Sequence, residues 1–354
     1  MIPMLVAVLL TSSAASVVAT TYVVDPSGGG DFETLPSAMW YVNWPDTVEL
    51  VPGTYAVTSG VPGWPIGLDD TSPCVVGRDG ADHTTLLGDG VTVAFLVPYE
   101  VFNARMDFEG ITFRDLGELF GRGGPYGGEG GGSMRLVDSV VENCGSNRAV
   151  DAQWCLSESG LISGCRIVGN PGRGIFTYHY FGAIEECEIA HNGGTGIGGL
   201  CCEEPLIRQN HIHHNAYYGV SAIWMYTVEY NLIESNGTGG LSIYDGGSHS
   251  HNVIRWNPIG IEHWGVLGSI HENDIYDNEQ YNVRYTETYA SDRDLTMNWW
   301  GTTDPDEIAA GIWDCNDDPN VGLCVVFDPW CWSPGCTGTT VQPTTWGGIK
   351  ALYR

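Results

Sequence analysis

The chain has 354 residues, 43% of them hydrophobic and 49 of them glycine, which fits one large or two ordinary globular domains. Its 43 acidic residues face only 14 lysines and arginines, giving a formal charge of −29, and Lys350 is the single lysine. Such a surface repels nucleic acid and anionic membranes and suits divalent cations or an uncharged glycan; adaptation to salt or acid accounts for the same balance.

The N-terminus, MIPMLVAVLLTSSAASVVATTYVVD, has a short apolar run from Met4 to Leu10, followed by small residues. Val17 and Ala19 satisfy a small-x-small cleavage rule, so a signal peptide over 1–19 and an exported protein are expected. No stretch reads as membrane-spanning, the Met4–Leu10 run being too short. Further on, GRGGPYGGEGGG (121–132) is a glycine-rich segment with no Lys-Ser or Lys-Thr after it. It predicts a loop leaving the fold rather than a phosphate cradle.

The middle of the chain is a repeat. The segments CRIVGNPGRGI (165–175), CEIAHNGGTGI (187–197), NHIHHNAYYGV (210–220), NLIESNGTGGL (231–241), NVIRWNPIGI (252–261) and NDIYDNEQYNV (273–283) share one pattern. Cys or Asn is followed by any residue, Ile, two residues, Asn, and then Gly (once Asn) before an aliphatic residue. Looser copies precede them at 138–150 and 108–117, and Asn298 opens a last partial one. A period of 21–23 residues with three short alternating runs, such as LIRQ, HIHH and GVSA, predicts three half-buried strands per coil. Strands this short bury a core only when coils stack, each strand pairing in parallel with its neighbour about 4.8 Å away. A leucine-rich repeat is the alternative, but the Leu spacing and any helical half are missing. The recurrent Asn is expected at a corner, where it tolerates left-handed backbone and bonds to the Asn of the next coil. In NHIHHN, Ile212 points inward, while His211 and His213 point outward, a pair able to chelate a metal or simply to face solvent.

Eleven cysteines fit an oxidising compartment. Cys315 with Cys324, and Cys331 with Cys336, are close enough in sequence for local disulfides; a bond between the vicinal Cys201 and Cys202 would be strained. No spacing matches a zinc signature, and the odd count leaves at least one thiol unpaired or intermolecular. Residues 333–354 read as a Thr-rich linker and a C-terminal tail.

These segments resemble the right-handed parallel β-helix, or pectin-lyase-like, superfamily, and within it secreted proteins with tandem short β-helix repeats. The resemblance spans about residues 21–332. It implies an all-β solenoid over 20–332 with an N-terminal cap (21–55) holding a short helix near Phe32–Val42, regular coils over about 104–298, and a C-terminal cap (299–332) whose helix begins near Asp304. TWGGIKALYR, at the end of the tail, resembles short C-terminal motifs of exported bacterial proteins, for which sorting or surface attachment has been proposed.

In enzymes of this superfamily, functional residues line the outer face of one sheet, here the strands opening at Gly174, Gly196, Gly219, Gly240, Gly260 and Asn282. With the aliphatic residue inward and alternate residues outward, the outward and rim set reads Phe176, Tyr178, His179 and Tyr180, next Trp224 and Tyr226, and further along Tyr244, Asp245, Glu262, Trp264, Arg284 and Glu287. Asp151 lies toward the N-terminal end, and His263 turns inward. Phe176, Tyr178, His179, Trp224, Tyr244 and Trp264 are the expected sugar-stacking groups. Asp245, Glu262, Arg284 and Glu287 are the catalytic candidates, and Asp245, Glu262 and Glu287 the candidate ligands for Ca²⁺; His211 and His213 are candidates for another metal. The Asn-x-Asp, Asp-Asp and Gly-His-Gly motifs of the polygalacturonase-like glycosidases are not in place. Three readings stand: a secreted monomer binding an extracellular polysaccharide or cell-surface glycan, a polysaccharide lyase or glycoside hydrolase, and a structural or adhesive solenoid.

Overall fold

The computed structural model describes residues 18–98, 101, 104–123, 132–153, 160–180, 182–200, 205–222, 226–244, 246–265, 268–286, 293–322 and 324–336. Residues 1–17 of the expected signal peptide (1–19), Cys201–Cys202, the middle of the glycine-rich segment and residues 337–354 of the expected linker and tail lie outside these residues. The two ends of the glycine-rich segment are strands, Glu118–Gly123 and Gly132–Val137.

The alternating runs form parallel sheets that wind about a common axis. A first sheet has 11 strands, a second 10 and a third 8, and in each the neighbouring strand is one coil away in sequence. The inward position of each coil stacks in register on that of the next. On the second sheet Ile167, Ile189, Ile212, Ile233, Ile254 and Ile275 form an unbroken column, and all six are buried. On the third sheet Val150, Ile175, Ile197, Val220, Leu241, Ile261, Val283 and Ile312 do the same. Each such side chain contributes about 1.5–3 kcal/mol of burial, and no coil could collect it alone. The chain is therefore an all-β parallel β-helix, as its period implies.

Two ladders of asparagine, buried except at the half-buried Asn278, lock the corners. Asn170, Asn192, Asn215, Asn236, Asn257 and Asn278 form one, each Nδ2 donating to the next Oδ1 at 2.9–3.3 Å. Asn210, Asn231, Asn252, Asn273 and Asn298 form the other, at 2.9–3.2 Å. Cys187 precedes Asn210 in this ladder, and its amide donates to Asn210 Oδ1. Buried Cys144 likewise donates to Asn170 Oδ1. That is why the repeat reads Cys or Asn: both fit a buried corner, although only the amide bonds in both directions.

The backbone assignment of the corner differs from expectation. The left-handed residue is not the ladder asparagine but the one before it: His191, His214, Ser235, Trp256 and Asp277 in one ladder, and Gln209, Tyr230, His251, Glu272 and Met297 in the other, all at φ of 53–60°. The turn leaves the asparagine amide pointing inward, where it satisfies buried carbonyls such as Ile184 O and Ile189 O. Those bonds offset the roughly 1–2 kcal/mol that a left-handed L-residue costs.

Both ends are capped. Helix α1 (Leu35–Tyr41) begins after Thr34, whose hydroxyl accepts from Ser37 N, and it buries Leu35 and Ala38 against the first coil. Helix α2 (Pro305–Ala310) begins after Asp304, which accepts from Asp306 N, and buries Ile308. Disulfides join Cys315 to Cys324 and Cys331 to Cys336, as their spacing suggests. Among the described residues, no helix is long and apolar enough to cross a membrane.

Candidate functional site

The third sheet turns a continuous outer face to solvent. One outward column runs Asp151, Phe176, Gly198, Ser221, Ser242, Glu262, Arg284 and Trp313. Two residues on, just past the strand ends, adjacent coils carry Tyr244 and Trp264, with Trp264 N bonded to Ile243 O at 2.8 Å. Tyr244 is 50% exposed and Trp264 41%. The backbones at Tyr244 and Trp264 thus occupy equivalent positions on successive coils, one coil spacing of about 4.8 Å apart along the axis, and both rings are open.

Beside them the sheet holds a polar cluster. Glu262 is only 1% exposed, yet its carboxylate is fully engaged. Arg284, its register neighbour on the next coil, donates from Nε at 3.0 Å and from a terminal nitrogen to Oε1. Tyr218, two coils away, donates its phenol to Oε2. Burial, then that bond to an acceptor carboxylate, raises the Tyr218 phenol well above its usual range, so it stays protonated. The ring reaches Glu262 by lying across Gly239, where a β-carbon would sit 2.8 Å from Tyr218 Cε1. Arg284 remains partly exposed and is the charged group this cluster shows to solvent.

The expected site residues divide accordingly. Tyr244, Trp264, Glu262 and Arg284 come together, whereas Trp224, Asp245 and Glu287 lie outside the described residues. Calcium does not fit Glu262 as placed, because the Arg284 guanidinium stands where the cation would have to be. Phe176 is a packed ring rather than an open platform: Arg148 lies 4.7 Å and Arg173 5.5 Å from its centroid, and Gly199 leaves room for its edge. Tyr178 and His179 are half-buried and meet edge to face at 4.6 Å. Two members of the outward set are corrected. Tyr180 and Tyr226, each 1% exposed, belong to the core. Both sit where the chain has already turned toward its next strand, so alternation counted from the previous one assigns them the wrong side. His263 is buried, as alternation implies. Asp151 is buried rather than open and lies 3.5 Å from Arg148 Nε. His211 and His213 project from the second sheet, around the coil from this face. Tyr218 was not among the candidates; its signal was a Tyr aligned in the repeat with the Gly of the next coil, which leaves a ring free to cross the gap.

A sequence model described as a right handed beta helix region matches residues 152–292, the span in which the ladders and the inward columns are most regular. The chain is a right-handed β-helix protein. Among solved structures, this β-helix resembles the mannuronan C-5 epimerase AlgE4 A-module of Azotobacter vinelandii at 15% identity and a TM-score of 0.50, covering 81% of this chain and 91% of that one. It is also similar to pectate lyase Pel9A, at 11% identity and a TM-score of 0.45, with 92% of this chain and 82% of that one covered. At such identities the likeness is one of fold. None of the curated proteins compared with this β-helix chain matches it.

Proposed function

We propose that this β-helix protein is exported by the segment 1–19 and binds an extracellular polysaccharide or cell-surface glycan along its third sheet. The observation that carries the reading is the pair Tyr244 and Trp264, exposed at matching positions on adjacent coils beside Arg284. Flat rings repeated along an axis suit stacking on successive sugars of a linear chain, and a guanidinium held by a buried carboxylate presents rigid donors to hydroxyl or carboxylate groups. A formal charge of −29 favours a neutral chain over a polyanion. The epimerase that shares the fold acts on mannuronan, which is consistent with a polysaccharide partner.

A glycan array with and without Ca²⁺ identifies the ligand, and titration of the hit tests the site. Tyr244→Ala with Trp264→Ala is expected to weaken binding on the order of tenfold, since each stacked ring contributes about 0.5–1.5 kcal/mol. A blank array, or a double variant that binds like the parent, sinks the proposal.

A second reading rests on the Tyr218–Glu262–Arg284 cluster. A protonated phenol, a carboxylate and a guanidinium within bonding distance are groups an acid–base enzyme uses. Incubation of array hits with the protein, followed by assays for new reducing ends and unsaturated products, separates catalysis from binding. Product formation that is lost in Tyr218→Phe supports it, and the absence of any product retires it.

A further inference from the structure

The second sheet carries a separate cluster on its outer edge. His191 and His214 are corner residues of adjacent coils, both in the left-handed conformation at φ of 56° and 53°. Their rings stack with centroids 5.0 Å apart. His213, the last residue of its strand, turns its ring into the same space, with Nδ1 2.8 Å from His214 Nδ1. One ligand nitrogen from each of the three histidines lies within 4.8 Å of the others.

We propose that His191, His213 and His214 form a binding site for a divalent transition-metal ion of the zinc, copper or nickel class. Three features support it. First, the donor set is three imidazoles, which favour these ions over calcium or magnesium. Second, the nitrogen separation between His213 and His214 fits. At the roughly 2.0–2.1 Å of an imidazole–zinc bond, nitrogens 2.8 Å apart subtend close to a right angle at a shared ion. Third, an acidic side chain stands behind His213. Glu188 Oε1 lies 3.6 Å from His213 Nε2, on the ring edge opposite the cluster. A carboxylate behind the ring is the arrangement found behind many metal-bound histidines, where it favours the proton on the nitrogen away from the ion. Glu188 is itself held by Arg166, whose Nε donates to Glu188 Oε2 at 2.8 Å. His211, whose Nε2 lies 3.0 Å from Glu234 Oε1, packs against His213 with ring centroids 4.0 Å apart and braces it. The left-handed corners point His191 and His214 outward from a backbone clamped by the buried amides of Asn192 and Asn215. The three rings thus meet before the ion arrives; an ion that draws all three nitrogens to within about 4.2 Å of one another completes the site, with its remaining positions open to solvent.

The test is titration of the chelator-treated full chain with Zn²⁺ against a competing dye. Co²⁺ absorption and the zinc-dependent rise in melting temperature serve as independent readouts. Expected is one tightly held ion per chain that excess Ca²⁺ and Mg²⁺ fail to displace. His214→Asn, which keeps a side chain tolerated in the left-handed region, should lose at least tenfold in affinity and abolish the Co²⁺ spectrum. His213→Ala should do likewise. Glu188→Gln should lose about tenfold while retaining the spectrum, and His83→Ala, far along the chain, should change nothing. Absence of stoichiometric binding overturns the proposal. So does displacement by Ca²⁺, which would mark adsorption to the acidic surface, and so does unchanged affinity in a correctly folded His214→Asn protein.

Discussion

Replacing Asn231 by alanine removes one rung from the middle of a ladder. Its Nδ2 donates to Ile207 O at 2.9 Å, Glu229 O at 2.9 Å and Asn252 Oδ1 at 3.0 Å. Its Oδ1 accepts from Asn210 N at 2.9 Å and Asn210 Nδ2 at 3.0 Å. After truncation, Asn252 Oδ1 still receives the amide of residue 231, and Glu229 O still accepts from Gln209 N at 3.3 Å. Asn210 N and Ile207 O lose a partner in buried surroundings. At about 1–3 kcal/mol for each unsatisfied buried group, the variant should lose about 3 kcal/mol. Urea denaturation gives the total. Amide hydrogen exchange locates it, because a solenoid couples each coil chiefly to its neighbours. The Asn210 amide should exchange faster by about two orders of magnitude or more, as 3 kcal/mol implies. Asn278→Ala, at the half-buried end of the other ladder, should cost roughly half as much. A loss below about 1 kcal/mol, with Asn210 exchanging as slowly as in the parent, would refute the claim that the amides hold the corners.

Further expectations follow from other positions. His249 takes an inward place between Val228 and Ile270 and is buried, and desolvation, then the charge of His263, lowers its pKa to about 3 from 6.5. The folded state refuses a proton that the unfolded chain accepts, so stability falls with pH from 6.5 downward by about 1.4 kcal/mol per pH unit until the folded pKa is reached. His249→Ile should therefore gain on the parent by about 2 kcal/mol between pH 6.5 and 5 in denaturation curves, and a pH-independent difference would rule this out. Tyr218→Phe should cost about 1.5–3 kcal/mol by taking a donor from the Glu262 carboxylate. Gly239→Ala should do similar damage by pushing the ring aside, and the double variant should fall well short of the sum, whereas strict additivity would disconnect the two sites. Ser235, left-handed at φ of 55°, should accept asparagine with a gain of about 0.5–1 kcal/mol in stability; a loss would mean that its conformation costs nothing.

What the sequence revealed depends on how many coils repeat it. The inward isoleucines and the ladder asparagines recur every 21–23 residues, so one alignment exposes both, along with the strand faces between them. Helix α1 lies within the predicted Phe32–Val42, and α2 starts right after Asp304. Readings failed where the relevant geometry occurs once or changes within a residue or two. The left-handed position could not be separated from the asparagine beside it, since both recur with the same period. Tyr180 and Tyr226 were assigned by counting alternation through a corner, where the count restarts. Glu262 and Arg284 were placed on the same face, but nothing in either strand shows that a register offset of 22 residues makes them partners. The same limit hid His191, which meets His213 and His214 only because the next coil stacks on its own.

The ladder amides also determine what the exterior is free to become. Every corner side chain leaves from the same left-handed backbone, and the atoms that hold that backbone are buried. The corner columns consequently carry His, Ser, Trp, Asp, Gln, Tyr, Glu and Met on one unchanged coil geometry. A substitution at such a position rewrites the surface at one height along the axis and leaves the coils above and below intact. Ligand preference in a protein of this build can therefore drift coil by coil, while its stability resides in residues that no ligand touches.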